Sequence, residues 1–288
     1  MIKVKHFFDE ETNTLTYIVS DPKTKDAVII DPVLNYDRLS SITSTDSTDA
    51  VIACINQNQL KVHFILETHA HADHLSGSQE LKKAFPEAKL GIGTNITMVQ
   101  KTFKDIFSLP HDFPIDGSQF DRLFSDNEKV TAGSLSFKII NTPGHTPACI
   151  SYYFDGAVFT GDAIFMPDFG TGRCDFPGGD AKSLYMSITE GLYTLPDETH
   201  VFVCHDYMPN NRELKFQTTI GEEKKNNIQL PEDRSEADYV EFRTTRDLKL
   251  KMPALIFQSI QVNINAGKLP QPDSNNTAYL KIPVNLNI

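Results

Sequence analysis

The sequence predicts an α/β fold, with two packed sheets flanked by helices, and three observations carry that expectation. Short apolar runs with strand-like alternation recur along the first 210 residues, and stretches with helical spacing separate them. Four of the apolar runs stop abruptly in His-, Asp- or Gly-bearing breaks, as expected where strand ends meet at one edge of a sheet scaffold. The chain has 288 residues, 40% of them hydrophobic and 23% charged, which suits one substantial globular domain or two small ones.

Residues 14–20 alternate as a half-buried strand, and residues 26–30 form another that stops at Pro32 after the Asp-Pro-Lys-Thr turn. Residues 45–60 carry a helical pattern behind the cap-like Ser47-Thr48-Asp49, and feed a strand over 62–66. A helix is predicted over 75–85, ended by Pro86, then a strand over 89–93 and a helix over 95–107. The segment 109–124, with His111-Asp112-Phe113-Pro114, reads as a loop, either a lid or surface decoration. Residues 135–140 alternate, and 150–154 with 157–160 make a hairpin across Asp155-Gly156. A helix over 180–195 and a strand over 200–204 complete the expected catalytic domain, residues 1–210. Residues 211–250 are highly charged and predict helices at 222–225 and 236–251, whereas the tail from Pro253 predicts extended chain. Together they form an extension, 211–288, packed on the domain.

The chemistry concentrates in Thr68-His69-Ala70-His71-Ala72-Asp73-His74, directly after the buried-strand run Phe64-Ile65-Leu66. Imidazoles and carboxylates are costly in an apolar interior unless a cation is bound, and this donor set suits a first-row transition metal. Three further breaks follow strands: Asn141 to Pro147 around His145, Thr160-Gly161-Asp162, and Cys204-His205-Asp206. His6, His63, His111 and His200 lie outside every motif and read as surface or packing residues.

Taken together these motifs resemble the metallo-β-lactamase superfamily: THxHxDH, then PGHT, then TGD, then a His after a core strand, over about residues 10 to 210. The resemblance implies its αββα sandwich, here with a C-terminal extension, and a metal site where the strand ends meet. Two branches compete. In the glyoxalase II type, His69, His71 and His145 would hold one zinc and Asp73, His74 and His205 a second, with Asp162 as bridge, for hydrolysis of a thioester or lactone. In the persulfide dioxygenases related to the ethylmalonic encephalopathy protein, one Fe(II) per chain would be held by His69, His145 and Asp162, two histidines and a carboxylate with one face open.

The segment Phe169-Gly170-Thr171-Gly172-Arg173-Cys174-Asp175-Phe176 is similar to the GxGRxDF segment of the second branch, and Cys204-His205-Asp206-Tyr207 to its HDY segment. The run from Phe257 through Pro283 resembles its longer bacterial, β-lactamase-hydrolase-like members. The expected activity is therefore a glutathione-dependent persulfide dioxygenase, turning glutathione persulfide and O2 into sulfite and glutathione. Here His71, Asp73, His74 and His205 orient ligands or hold water. Arg173 would clamp a substrate carboxylate with its planar fork, and Tyr207 would hydrogen-bond the substrate or order His205. Arg243 and Arg246 have no assigned role.

A formal net charge of −11 argues against nucleic acid as the main partner, and leaves room for a small anion held by local arginines. The first eight residues lack an apolar signal region, and no window offers the roughly twenty apolar residues of a membrane span. A cytoplasmic location is expected. The four cysteines form no CxxC pair and read as reduced. The extension is long enough to bury against a second subunit, so a homodimer is a further expectation.

Overall fold

The alternating N-terminal runs become strands because both of their faces find apolar partners. In the computed structural model, which describes residues 2–286, the chain opens with β1 (Lys3–Asp9), β2 (Thr14–Ser20), β3 (Asp26–Ile30) and a small hairpin, β4 (Val33–Asp37) and β5 (Ile42–Ser44). Helix α1 (Asp46–Asn58) leads into β6 (Lys61–Leu66), β7 (Leu75–Ser76), α2 (Ser78–Ala84), β8 (Lys89–Gly93), α3 (Ile96–Ile106) and β9 (Arg122–Phe124). The second half runs through β10 (Lys129–Ala132), β11 (Leu135–Asn141), β12 (Ile150–Phe154), β13 (Ala157–Phe159), α4 (Ala181–Met186), β14 (His200–Phe202) and β15 (Gln217–Thr219). Helices α5 (Ile220–Asn226), α6 (Glu236–Asp247) and α7 (Ile256–Asn263) follow.

One six-stranded sheet has the order β1-β2-β3-β6-β8-β9, and a second the order β10-β11-β12-β13-β14-β15. Successive side chains of a strand point to opposite faces, and the core divides accordingly. Leu15, Tyr17, Val28, Ile30, Phe64 and Leu66 of the first sheet meet Phe137, Ile139, Tyr152 and Phe154 of the second. Ile18, Ile29, Ile65 and Leu90 face the other way, onto Val51 and Ile55 of α1, Leu81 of α2 and Phe103 of α3. Burial of each such side chain contributes roughly 1.5–3 kcal/mol, so the sandwich, not local propensity, fixes the strands.

The sheets are joined at one edge by buried hydrogen bonds. Tyr17 Oη donates to Val203 O at 2.6 Å and Tyr152 Oη to Glu67 O at 2.8 Å. Backbone bonds Ile150 N to Thr68 O (3.0 Å) and Leu15 N to Cys204 O (2.7 Å) close the same edge. There the ends of β6, β11, β13 and β14 converge, since β13 and β14 are parallel and β11 shares their direction.

Three sequence expectations need correction. Residues 75–76 are not helical: they pair with β4, and α2 begins only at Ser78. The helix expected over 180–195 is regular only in α4, capped by Asp180 Oδ1 accepting from Ser183 N at 2.7 Å, and continues as a wide and then a tight turn to Thr194. The tail from Pro253 is not wholly extended. It contains α7, whose Ile256 and Ile260, followed by Ile264, lie one turn apart and pack beneath the first sheet. Beyond residue 210, the expected domain boundary, β15 pairs with β14 as the edge strand of the second sheet. Among the described residues, no helix is long and apolar enough to cross a membrane.

Candidate metal centre

The convergent strand ends carry His69, His71, Asp73, His74, His145, Asp162 and His205. His69, His145 and Asp162 bring ligand atoms within 4.8 Å of one another. His145 Nε2 lies 3.6 Å and His69 Nε2 3.9 Å from Asp162 Oδ2. His205 Nε2 stands 3.3 Å from both Asp162 Oδ1 and Asp73 Oδ2. His71, Asp73 and His74 form a second group within 4.8 Å, and His71 with Cys204 and His205 a third. His71 does not join the group of His69, His145 and Asp162.

Each imidazole is held by its outer nitrogen. His145 Nδ1 meets Arg173 O at 2.7 Å, His74 Nδ1 meets Leu75 O at 3.1 Å, and His205 Nδ1 lies 3.3 Å from Asn13 O and from Thr14 Oγ1. His69 Nδ1 meets Thr68 Oγ1 at 3.0 Å, and that hydroxyl itself donates to Asp31 Oδ2. A carbonyl fixes the ring N–H toward itself, so the inward nitrogen keeps its lone pair. His71 is turned round: its Nε2 sits between Asp31 Oδ1 (3.0 Å) and Glu67 Oε2 (3.4 Å).

The inward atoms His69 Nε2, His71 Nδ1, His74 Nε2, His205 Nε2 and Asp162 Oδ1 are buried and find no hydrogen-bond partner among the described residues. Native interiors rarely leave one such atom bare, let alone five in one place. The donor set fits a transition metal on this observation alone. Burial, and next His71, push the His69 imidazole well below its ordinary pKa, and the same causes lower His74 to about 4, which leaves both rings neutral. At His71 and His205 burial opposes protonation but nearby carboxylates outweigh it, Asp31 raising His71 and Asp73 with Asp162 raising His205 to about 9, so a cation bound there would displace protons. Burial opposes ionisation of Asp162, but His205 and the other imidazoles outweigh it and hold the carboxyl well below the usual range.

Beside this edge a cavity of about 510 Å³ is lined by Asp73, His145, Asp162, Arg173 and Tyr207, together with Arg38 and the stretch Pro253 to Leu255. The profile of the metallo-beta-lactamase superfamily matches residues 10–205. The chain belongs to the metallo-beta-lactamase superfamily. "Glyoxylase B2" of Dictyostelium discoideum is 49% identical over 284 residues, 98% of this chain and 97% of that protein. "Persulfide dioxygenase ETHE1, mitochondrial" of Homo sapiens is 30% identical over 208 residues, 72% of this chain and 69% of that one. The crystal structure of ETHE1 from Myxococcus xanthus superposes with a TM-score of 0.74 at 30% identity, covering 92% of this chain and 100% of that chain.

The superfamily's metal-binding edge explains the GTGR segment. A Cβ on Gly172 would collide with Asp162 O and approach His145 Cβ, so only glycine lets this backbone pass behind the site. Gly172→Ala is expected to destabilise the chain by about 1–3 kcal/mol, measured as a lower urea midpoint, with less metal bound per chain. The next residue faces the cavity with its fork already partnered. Arg173 lines the cavity, but Asp175 accepts from its Nε and Nη2 at 2.6 Å each, and Lys251 O accepts from Nη1 at 2.7 Å. The fork expected to clamp a substrate is occupied within the protein. Arg38, exposed on the cavity rim, forms no ion pair among the described residues, and sequence reading missed it.

Tyr207 lines the cavity, its ring stacked on Phe169 (centroids 4.6 Å apart) and on His205 (5.7 Å). The four isolated histidines stay outside the site: His63 pairs with Asp26 at 2.6 Å and His6 stacks on Phe216. All four cysteines are free, and burial pushes the Cys149 thiol up to about 12.

Proposed function

We propose that the chain is a persulfide dioxygenase with one Fe(II) bound by His69, His145 and Asp162. The supporting observation is the grouping of two imidazoles and one carboxylate, His69, His145 and Asp162, with ligand atoms within 4.8 Å of one another. Such a triad leaves one face open, and bound iron would supply the oxygen chemistry there. The likeness to ETHE1 proteins and the GTGRCDF segment point the same way. The reaction would take glutathione persulfide, O2 and water to glutathione and sulfite.

The chain's own part is positioning. The cavity is of ligand size and reaches His145 and Asp162 of the triad; Arg38 is placed to receive a glutathione carboxylate, and Tyr207 walls the side toward His205. Arg173 serves through its backbone, because its carbonyl orients His145.

A second reading has an observation of its own. Asp73 Oδ2 and Asp162 Oδ1 each lie 3.3 Å from His205 Nε2 and the nearby His74 Nε2 is bare, donors that the second zinc of a binuclear hydrolase would use, and the Dictyostelium relative carries a glyoxylase name. Metal analysis of the purified chain with an oxygen electrode and glutathione persulfide separates the two. We expect one iron per chain and oxygen uptake; two zinc ions with thioester hydrolysis and no oxygen uptake would defeat the proposal.

A further inference from the structure

We propose that Asn263, at the end of α7 in the C-terminal extension, is a positioning residue that sets the backbone of the metal-binding loop. The inference rests on the reading of His71, Asp73 and His74 as part of a metal centre. It does not depend on which metal is bound or which reaction is run.

Residues 71–74 lie in irregular backbone between β6 and β7, so no helix or strand partner satisfies their amides and carbonyls. The Asn263 carboxamide does so. Its Nδ2 donates to His71 O and to His74 O, each at 2.8 Å, and its Oδ1 accepts from Ser76 N at 2.8 Å. Asn263 is only 4% exposed, and the three backbone groups belong to buried residues. A side-chain amide offers two donors and an acceptor from one planar group. Asp lacks both donors, Ser has one, and Gln would displace the group by a methylene. One side chain thus spans the turn that carries three of the seven site residues.

The helix end that aims the carboxamide is itself fixed. Leu255 and Val262 pack with Leu34 and Leu75, while Ile256, Ile260 and Ile264 pack beneath the first sheet. Gln79 Nε2 donates to Ala266 O at 2.6 Å and Gln100 Nε2 to Ile264 O at 2.9 Å. The apolar face seats α7, and the Gln79 contact lies beyond the helix at Ala266, so removing it leaves the Asn263 carboxamide in place and provides a control.

The experiment compares the full chain with Asn263→Asp, Asn263→Ala and Gln79→Ala. Zinc and cobalt(II) affinities are read by chelator competition, the cobalt absorption spectrum is recorded, and amide hydrogen exchange is followed in the metal-free chain. In the parent, the Ser76 amide should exchange slowly even without metal. Both Asn263 variants should bind metal roughly 10–100-fold more weakly, as for other residues that orient ligands, with an altered cobalt spectrum. Asn263→Ala should also speed exchange at 71–76, while Gln79→Ala should match the parent in all three measurements. Rapid Ser76 exchange in the parent would overturn the proposal, even if the Asn263 variants fail to fold or no metal binds. Parent-like affinity in Asn263→Asp, or equal weakening in Gln79→Ala, would also overturn it. A parent chain that binds neither metal, with Ser76 protected, would defeat the metal-centre reading instead and leave the loop brace standing.

Discussion

Asp162→Ala is expected to strip the chain of its metal and its activity together while leaving the sandwich folded. Both carboxylate oxygens face imidazole nitrogens: Oδ2 lies 3.6 Å from His145 Nε2 and 3.9 Å from His69 Nε2, and Oδ1 lies 3.3 Å from His205 Nε2. It is the group that touches both halves of the site, whether as one ligand of a single ion or as a bridge between two. Residues that merely orient ligands cost roughly 10–100-fold when removed, so losing this carboxylate should exceed the upper figure. Each tenfold loss of affinity also removes about 1.4 kcal/mol of metal-linked stability at fixed metal concentration. Asp162→Asn, which keeps the shape and loses the charge, should fall close to Asp162→Ala. The check is metal content and oxygen uptake on protein with an unchanged circular dichroism spectrum. A variant that kept its metal would move the centre elsewhere, first to the group of Asp31, Glu67 and His71.

The same geometry shows why the candidate site was legible in the sequence. Each candidate stands directly after an apolar strand run, and such runs fix both where the chain goes and where it stops. His69, His145, Asp162 and His205 could be named because packing carries their strand ends to one edge. What supports them was less visible. Asp31 announced itself only as a strand end before Pro32, yet it holds Thr68 N and Oγ1 and His71 Nε2 from a left-handed backbone conformation, φ 50°. Glu67 precedes the motif by one residue and binds Ser76, Ser78 and His71, contacts that depend on how the loop folds back. The helix α7 was hidden for a different reason. Ile260 to Ile264 alternates like a strand, and the one-turn spacing of Ile256, Ile260 and Ile264 signals a helix only once a face exists to receive it. Arg173 meets Asp175 two residues on through its fork, a contact that motif likeness does not disclose.

Arg243, for which the sequence suggested no role, is expected to matter nearly as much as a ligand. Its guanidinium is 1% exposed on α6, gripping Asp247 through Nε (3.1 Å) and Nη2 (2.5 Å) and donating through Nη1 to Thr171 O (3.1 Å) and Gln229 Oε1 (2.8 Å). Asp247 Oδ2 in turn accepts from Cys174 N at 2.8 Å. The two residues thus pin the backbone on either side of Arg173, whose carbonyl orients His145. Arg246, three residues on, lies instead along a surface groove with Asp238 and Phe242. Removing one member of a buried ion pair leaves the other charged and unpaired, so Arg243→Ala should cost about 3–5 kcal/mol. For a chain of this size each kcal/mol lowers Tm by roughly 2–4 °C. The double variant Arg243→Met/Asp247→Leu separates the two contributions of the pair. Replacing both charges by apolar groups should restore most of the stability, as buried pairs commonly allow, while Cys174 N and Thr171 O still lack their partners. Metal affinity should therefore stay below that of the parent in the double variant, even where its melting temperature recovers. If affinity recovers in step with Tm, α6 supports the fold alone and has no hold on His145.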